Sequence, residues 1–308
     1  MQFRFDKEAL MRRIQVVILL VVIPIAAVLF LTAMSPSPDP KKNTDTVTRP
    51  GSELPIFDTH VHYKKEAWTL FSPKEVLELF KRSGVTKALV SSSPDEGTRM
   101  LYKLAPDMIV PFLRPYHDDV NSSNWFKKQS ILDYFKKRLE LPIYKGIGEF
   151  HIHNEIDADS PVILETLRLA VKEDLYIHVH TGHEAVEAMF KHEPKIKVLW
   201  AHAGMSDPPQ VVSAMFDRYK NLWVDISIRE NDIAPGGVLS PEWKALFLKH
   251  PDRITVGSDT WVNSRWQEYE EIIKFDRGWL AQLPSDVARK IAYDNAGRLF
   301  GNGDSGKR

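Results

Sequence analysis

The 308-residue sequence contains no cysteine. This absence excludes disulfide frameworks, iron–sulfur clusters, cysteine nucleophiles and zinc sites with thiolate ligands. An excess of basic charge is absent as well, because 41 Lys and Arg residues balance 41 Asp and Glu residues. A nucleic-acid-binding protein usually carries a basic patch, so no nucleic-acid partner is expected. Any bound metal must be held by histidine, aspartate or glutamate side chains.

Charge is also missing from residues 14–34, an apolar stretch of 21 residues. A helix of this length spans about 30 Å, the thickness of a bilayer core, which predicts one transmembrane helix. Four basic residues precede the stretch, and none follows it until Lys41. The positive-inside rule therefore predicts a cytoplasmic segment at residues 1–13 and a main domain outside the cytoplasm, on the periplasmic side in a bacterium.

A cleaved signal peptide is the alternative interpretation of this N-terminus. Its apolar region would be about 7–15 residues long, shorter than the stretch observed, so an uncleaved anchor is favoured. Residues 35–51 contain four prolines and no aromatic residue, which predicts a flexible linker. Residues 52–303 are predicted to form one domain, and residues 304–308 a disordered tail.

Short apolar runs alternate with longer amphipathic segments throughout the predicted domain. Eight of the runs are typical of buried strands. They are Ile56–His62, Val85–Ser91, Met108–Arg114, Lys145–His151, Leu175–His180, Val198–His202, Leu222–Ile228 and Ile254–Asp259. Eight strand–helix units in about 250 residues fit an α/β protein with a (β/α)8 TIM barrel. An open doubly wound sheet is the alternative, but it would have a glycine-rich phosphate loop after the first strand, and the sequence lacks one there.

Several helix ends are marked in the sequence. A serine followed by proline caps free N–H groups and suits the first helical position. Three such pairs predict helix starts, and an aspartate–proline pair predicts a fourth: Ser72-Pro73, Ser160-Pro161, Ser240-Pro241 and Asp207-Pro208. Glu75 completes a capping box with Ser72, and Gly84 predicts the end of the first helix.

Ionisable side chains recur where the predicted strands end. These residues are His60, His62, Glu149, His151, His180, His202 and Asp259. Residues two apart on a strand point to the same side, and the carboxyl ends of barrel strands share one mouth. Imidazoles and carboxylates together suit zinc, manganese, iron or nickel, so the pattern predicts a metal site. Taken singly, each residue also has a structural interpretation, such as a hydrogen-bonded core histidine or a helix cap.

With these residues in order along the chain, residues 54–301 resemble the amidohydrolase superfamily of metal-dependent hydrolases. The likeness is to the amidohydrolase-2 branch, with some similarity to TatD-like deoxyribonucleases. Three features carry it: the start Asp58-Thr59-His60-Val61-His62, the two later histidines, and the Gly257-Ser258-Asp259 of the eighth strand. The stretch from Ile291 to Phe300 is also similar to the closing helix of these enzymes.

The resemblance implies roles for the aligned residues. His60, His62 and Asp259 would hold a first divalent metal, for which zinc is the first expectation. His180 and His202 would hold a second metal or, with a single metal, supply a ligand and a group that polarises the substrate. Glu149 stands where two-metal members have a bridging carboxylate. His178 is expected to support or pack behind the site, and His153 to lie in a loop.

The predicted reaction is hydrolysis of an ester, lactone or amide in a small-molecule substrate. A divalent metal lowers the pKa of bound water from about 15.7 to about 7, and Asp259 would act as general acid and base. His202, or a second metal held by His180 and His202, would stabilise the developing oxyanion. Arg114, Arg229 and His151 are candidate substrate-binding residues, the two arginines for an acidic group or, alternatively, as structural ion pairs.

The sequence is also compatible with two other functions. A metal-dependent decarboxylase of an aromatic or unsaturated acid belongs to the same branch. A non-catalytic binding barrel tethered to the membrane would need no turnover, although no expected ligand position is lost. A nuclease is disfavoured because a polyanionic substrate favours a basic surface.

Overall fold

The computed structural model describes residues 54–301. Eight parallel strands follow one another around a single sheet in chain order. The strands are β1 (Ile56–Val61), β2 (Val85–Val90), β3 (Ile109–Leu113), β4 (Gly146–His151), β5 (Tyr176–His180), β6 (Lys197–Trp200), β7 (Leu222–Asp225) and β8 (Ile254–Thr255). Backbone hydrogen bonds from Thr59 to Val256 (3.0 Å) and from Asp259 to His60 (2.7 Å) join the first and last strands. The predicted (β/α)8 barrel is confirmed as a nearly closed barrel.

Helices connect the strands on the outside of the barrel. They are α1 (Pro73–Arg82), α2 (Glu96–Leu104), α3 (Ser130–Leu139), α4 (Pro161–Lys172), α5 (His183–His192), α6 (Pro209–Arg218), α7 (Glu230–Ile233), α8 (Pro241–Lys249), α9 (Asn263–Gln267), α10 (Tyr269–Leu280), α11 (Ser285–Arg289) and α12 (Asn295–Phe300). Parallel strands need such crossovers, and the helices cover the apolar outer face of the sheet.

The predicted serine caps are present. The Ser72 hydroxyl accepts from the Glu75 N–H, and the Glu75 carboxylate accepts from the Ser72 N–H at 2.7 Å, which completes the capping box. The hydroxyl groups of Ser160 and Ser240 cap α4 and α8 by accepting from the N–H groups of Val162 and Trp243, without a capping box. Asp207 does not cap α6, whose N-cap position is Pro208. The Asp207 carboxylate instead accepts from the backbone N–H of His183, the first residue of α5, and lies 2.7 Å from the Nδ1 of the same residue.

The closing helix plugs the end of the barrel opposite to the functional residues. Phe300 of α12 packs against Phe57, Phe112 and Tyr176, with ring centroids 6.3, 5.5 and 4.8 Å away. These residues belong to strands β1, β3 and β5, so one aromatic side chain joins three strands. Burial of large aromatic rings contributes strongly to stability, and this plug leaves the other mouth free for chemistry.

The later strands end earlier than the sequence predicted. β6 stops at Trp200 and β7 at Asp225, so His202 lies in a short 3-10 segment, Ala201–Gly204, and Ile228 in a loop. β8 has only two residues, so Asp259 lies beyond its end. His202 and Asp259 adopt left-handed backbone angles, with φ of 56° and 44°, which a strand does not allow.

Within residues 54–301, no helix combines the length and the apolar character needed to cross a bilayer. The predicted transmembrane helix at 14–34, the linker at 35–51 and the tail at 304–308 lie outside the described residues, and these assignments stay predictions.

Candidate metal centre

Three of the predicted metal ligands meet directly at the mouth of the barrel. His60 Nε2 and His62 Nε2 lie 3.0 Å apart. Asp259 Oδ1 lies 3.5 Å from the first and 3.3 Å from the second. All three side chains are buried. Residues at the carboxyl end of β1 and in the loop after β8 therefore form one compact donor set, although about 200 residues separate them.

The other three predicted ligands surround the same point. Glu149 Oε1 lies 3.1 Å from His180 Nδ1, 3.5 Å from His202 Nε2 and 3.7 Å from His60 Nε2. The other Glu149 oxygen lies 3.2 Å from His62 Nε2. Glu149 thus stands between the two histidine pairs. The fold brings together all six residues that the sequence singled out as ligands.

In each histidine ring, the hydrogen bond made by Nδ1, on the side away from the cluster, determines whether Nε2, on the side of the cluster, carries a hydrogen or a lone pair. His62 Nδ1 lies 2.5 Å from the carbonyl oxygen of Ser91, and His202 Nδ1 lies 3.0 Å from the carbonyl oxygen of Ser227. A carbonyl oxygen only accepts, so both Nδ1 atoms carry hydrogen. In the neutral rings, each Nε2 then holds a lone pair. Donors of this kind, fixed by a hydrogen bond on the far nitrogen, are the usual arrangement of metal-binding histidines.

Asp225 supports His60 from behind, and the sequence pattern did not predict it. Both of its carboxylate oxygens lie 3.2 Å from His60 Nδ1, and one lies 3.0 Å from His178 Nε2. Burial alone would raise the pKa of Asp225, but the charge of His60 and hydrogen bonds from both rings hold it well below its ordinary value. Asp225 ends β7, and a strand end placed at 225 instead of 228 would have revealed it.

The carboxylates of the histidine–carboxylate cluster favour the binding of a positive charge. Burial alone would lower the pKa of His60, but Asp259, Asp225 and Glu149 raise it well above its ordinary range. Burial and the charge of Arg114 lower the pKa of His62 to about 4, so its ring stays neutral. Asp259 Oδ1 is buried and forms no hydrogen bond within the described chain. Neutral imidazole nitrogens, carboxylates and an unpaired buried oxygen fit a divalent metal.

Geometric grouping of the donors suggests more than one cation position. His60, His62 and Asp259 offer ligand atoms within 4.8 Å of one another, and so do Glu149, His151 and His180. The second group includes His151 in place of the predicted His202. His60 and His202 also form such a group with Asp225.

The two predicted substrate-binding arginines are engaged by the protein. Arg114 pairs with the Glu149 carboxylate at 2.7 Å and donates to the Glu149 carbonyl oxygen at 3.0 Å. Arg229 donates to the carbonyl oxygens of His202, Ala203 and Asp207 at 3.1 to 3.3 Å. Both side chains are buried. These contacts favour the structural alternative for each arginine.

His151 is placed differently, with its Nδ1 held by the hydroxyl group of Tyr116. The Tyr116 hydroxyl oxygen accepts from the His151 backbone N–H at 2.8 Å and lies 2.9 Å from His151 Nδ1. The hydroxyl hydrogen is available to Nδ1, and in the tautomer in which Nδ1 accepts it the ring hydrogen lies on Nε2. Burial and the charges of His180 and Arg114 lower the pKa of His151 to about 3. His151 is thus a neutral N–H donor.

The two histidines that were not predicted to bind metal or substrate, His178 and His153, lie where the sequence analysis expected them. His178 is buried behind the cluster, with its ring centroid 4.5 Å from that of His60. His153 lies in the exposed loop after β4, with its ring centroid 5.7 Å from that of His151.

Comparisons with known proteins give the family of the chain and support its fold. The family model described as Amidohydrolase matches residues 126–301, more than half of the chain. A search of curated proteins finds no match. Several solved structures share the fold of this chain at low sequence identity.

A TatD homologue from Escherichia coli has a TM-score of 0.57 and 17% identity, covering 80% of this chain and 98% of its own. The 5-carboxyvanillate decarboxylase of Novosphingobium aromaticivorans, complexed with manganese and 4-hydroxy-3-methoxy-5-nitrobenzoic acid, has a TM-score of 0.55 and 12% identity, covering 82% and 97%. A probable 2-pyrone-4,6-dicarboxylic acid hydrolase from Acinetobacter baumannii, with citric acid bound, has a TM-score of 0.52 and 13% identity, covering 81% and 100%. At these identities the likeness establishes the fold.

Proposed function

The chain belongs to the amidohydrolase family and is an enzyme of that type, and from this premise we propose that it is a divalent-metal-dependent hydrolase of a small ester, lactone or amide. One observation carries the proposal. The Nε2 atoms of His60, His62 and His202, each with its Nδ1 held from behind, converge with the carboxylates of Glu149 and Asp259.

The residues that would hold the metal follow from the donor set. We assign His60, His62 and Asp259 to one position, and Glu149, His180 and His202 to a second position or to the remaining contacts of a single ion. A bound divalent ion would supply Lewis acidity and lower the pKa of a coordinated water to about 7. Zinc is the first candidate for a histidine-rich set, and manganese, iron and nickel are the others.

Three side chains of the protein would carry out the proton transfers and bind the substrate. Asp259 Oδ1 is the unpaired buried acceptor, so it takes the proton of the attacking water and returns it to the leaving group. With a single metal, His202 in its protonated form would carry hydrogen on both ring nitrogens, and its Nε2–H, which faces the same space, would polarise the substrate oxygen. His151 offers its Nε2–H to an acceptor atom of the substrate. The buried cluster keeps bulk water away, which strengthens each of these interactions.

Decarboxylation is the second candidate reaction. The decarboxylase with this fold is complexed with manganese and a substituted benzoic acid, and the probable hydrolase holds citric acid. Both ligands are small carboxylic acids, which supports a carboxylate-bearing substrate for this chain under either reaction. The non-catalytic alternative is not retained, because the family and its structural neighbours are enzymes.

Metal content per chain is the first test. We expect the full-length protein, purified in detergent, to hold one or two divalent ions by elemental analysis. Glu149→Ala should lower the content if the carboxylate bridges two ions, while Glu165→Ala, on the exposed face of α4, should not. A protein that takes up no divalent metal after reloading would refute the proposal.

The reaction itself is tested with two substrates, 2-pyrone-4,6-dicarboxylate and 5-carboxyvanillate. In water labelled with heavy oxygen, hydrolysis of the first places the label in the ring-opened product. Release of carbon dioxide from the second, without incorporation of label, would assign the decarboxylase instead. Asp259→Asn should abolish either turnover while the fold is retained.

The membrane assignment remains a separate proposal. The apolar segment 14–34 supports an uncleaved anchor with the enzyme outside the cytoplasm. Membrane fractionation checks it: the full-length chain should stay with the membrane after a carbonate wash, and a chain without residues 1–51 should not.

A further inference from the structure

The barrel closes between its last and first strands without a regular ladder. Within residues 54–301, parallel ladders join each strand to the next from β1 to β8, but none joins β8 back to β1. β8 has only two residues, and both of them pair with β7. We name this junction the seam: it consists of residues 58–62 on one side and 254–260 on the other. Besides backbone hydrogen bonds, the seam therefore needs other contacts.

Side chains supply further hydrogen bonds across the seam. The Asp58 carboxylate accepts from the Ser258 N–H at 3.0 Å, and the Ser258 hydroxyl donates to the His60 carbonyl oxygen at 3.3 Å. The hydroxyl oxygens of Thr59 and Thr255 lie 2.7 Å apart. Closure of the barrel at this point thus depends on side chains as well as on the backbone.

Thr260 acts towards His62 as a neighbouring strand would. Its hydroxyl oxygen accepts from the His62 N–H at 2.9 Å, and its hydroxyl group donates to the His62 carbonyl oxygen at 3.2 Å. His62 follows directly after Val61, the last residue of β1. The Thr260 side chain is buried. One buried hydroxyl group therefore holds both backbone groups of a predicted metal ligand.

The seam also separates the ligands of the first proposed metal position. His60 and His62 lie on the β1 side, and Asp259 lies on the β8 side, directly before Thr260. Asp259 Oδ1 lies 3.3 Å from His62 Nε2. The distance between these two donors therefore depends on the hydrogen bonds that join the loop after β8 to the backbone of His62.

The ring of His62 is held separately, from the side of β2. Its Nδ1 lies 2.5 Å from the Ser91 carbonyl oxygen and 3.2 Å from the Ser91 hydroxyl oxygen. These contacts orient the ring, but they do not connect it to Asp259. Thr260 makes that connection, because it bonds to the backbone of His62 and is covalently joined to Asp259.

Resting on the proposed function, we propose that Thr260 is a positioning residue of the metal centre, whose hydroxyl group sets the separation of His62 and Asp259 across the seam. It acts through the backbone of His62 and not as a ligand. Without the hydroxyl group, the N–H and the carbonyl oxygen of His62 lose a buried partner, and the loop after β8 is no longer tied to them. Metal ligands must be held to within about 0.5 Å of their working positions, so the first metal position should weaken.

The test removes the hydroxyl group and keeps the shape of the side chain. Thr260→Val should lower the affinity for cobalt(II) by roughly 10–100-fold, since the loss of groups that support metal ligands has an effect of this size. Thr260→Ser keeps the hydroxyl group and should recover most of the affinity. The metal-free full-length protein is titrated in detergent with cobalt(II). The visible absorption of the bound ion gives the affinity, and its band positions report the ligand geometry, which should change in Thr260→Val and return in Thr260→Ser.

Thr255→Val is the matched control. Thr255 is also a buried threonine on the β8 side of the seam, four residues before Asp259. Its hydroxyl oxygen lies 2.7 Å from the Thr59 hydroxyl oxygen and 3.1 Å from the Val224 carbonyl oxygen, and neither partner is a predicted ligand. Thr255→Val should lower stability against urea, because buried hydrogen bonds are lost, but leave the cobalt affinity and spectrum unchanged.

Three outcomes would overturn the assignment. They are an unchanged affinity and spectrum in Thr260→Val, equal losses of affinity in Thr260→Val and Thr255→Val, and a Thr260→Ser protein that binds as weakly as Thr260→Val. If Thr260→Val does not fold, Thr260→Ala, which also lacks the hydroxyl group, is measured in its place with the same expected losses. In each of these outcomes the wild type still binds cobalt, so the proposed metal centre stands while the role of Thr260 falls. A wild type that binds no cobalt would remove the proposed function and this assignment together.

Discussion

Asp225 holds the ring of His60 with both of its carboxylate oxygens, each 3.2 Å from Nδ1, while Nε2 of the same ring lies 3.0 Å from His62 Nε2. The buried carboxylate therefore fixes the orientation of the ring and adds negative charge behind it. Asp225 is not a predicted metal ligand in this arrangement, but it determines how well His60 can act as one.

Asp225→Asn should lower metal affinity by roughly 10–100-fold, because the charge behind His60 is lost while the size of the side chain is kept. Titration of the metal-free protein with manganese or zinc measures this. Asp159→Asn is the control, since Asp159 also pairs with a histidine, His192, but on the surface. Equal affinities for the two variants would show that Asp225 has no influence on the metal.

Gly257 lies directly against His60. A Cβ atom at position 257 would lie 2.7 Å from the His60 Cβ. Gly257→Ala should displace the ring, lower metal affinity and destabilise the fold by about 1–3 kcal/mol. Gly278→Ala in α10 is the control, because a Cβ there meets nothing within 4 Å and alanine favours a helix by up to about 1 kcal/mol. Denaturant unfolding and metal titration of both variants provide the comparison, and a Gly257→Ala protein with normal affinity would contradict it.

Arg265 positions the loop that carries Asp259. Its guanidinium donates to the Ser258 carbonyl oxygen at 2.9 and 2.6 Å and to Glu230 at 2.9 Å. Asp259 follows with a left-handed φ of 44°, a conformation that needs support from its surroundings. Arg265→Gln should lower kcat by roughly tenfold or more with a smaller change in KM.

Two further variants test that interpretation of Arg265. Arg265→Lys should recover part of kcat, because the charge is kept but the planar fork is lost. Arg289→Gln removes an exposed arginine that pairs with Asp294 and should leave kcat unchanged. A fall in stability without any fall in kcat would mean that Arg265 serves only the fold.

Asp276 predicts a pH dependence of stability. Burial raises its pKa from an ordinary 3.8 to about 8. A carboxyl group with a raised pKa in the folded state stabilises the fold fully below about pH 4, and this contribution is lost as pH rises through about 8. The Asn side chain does not ionise and still accepts from Trp279 Nε1, which lies 3.0 Å from Asp276 Oδ1.

Asp276→Asn should therefore gain stability relative to wild type as pH rises from about 4 to about 8, by up to a few kcal/mol. Urea unfolding at pH 5 and pH 8 measures the difference in unfolding free energy between the two proteins. The contribution of the histidine cluster to the pH dependence cancels, because the cluster is the same in both. Parallel pH profiles for the two proteins would contradict a buried, protonated Asp276.

The barrel was predictable because its signals are local. Apolar runs of strand length, the serine–proline helix starts and Gly84 each depend on a few neighbouring residues, and the structure places strands and helices there. The six predicted ligands could be found for a related reason. In a parallel barrel the carboxyl ends of all strands meet at one mouth. A residue at one strand end is therefore expected to lie near residues at the other strand ends, even when no distance between them is known.

The remaining features required the tertiary structure, because they depend on contacts between distant parts of the chain. A strand end at 225 would place Asp225 at the mouth, but the sequence does not show that its partner is His60, 165 residues away. Arg114 and Arg229 are available for a substrate on the sequence alone, but in the fold Glu149 and the carbonyl of His202 occupy them. The sequence by itself determined which donors could reach the mouth. Which are already paired, and which remain free for metal and substrate, is decided only when the chain closes into a barrel, because hydrogen-bonding capacity is shared among side chains that the sequence keeps apart.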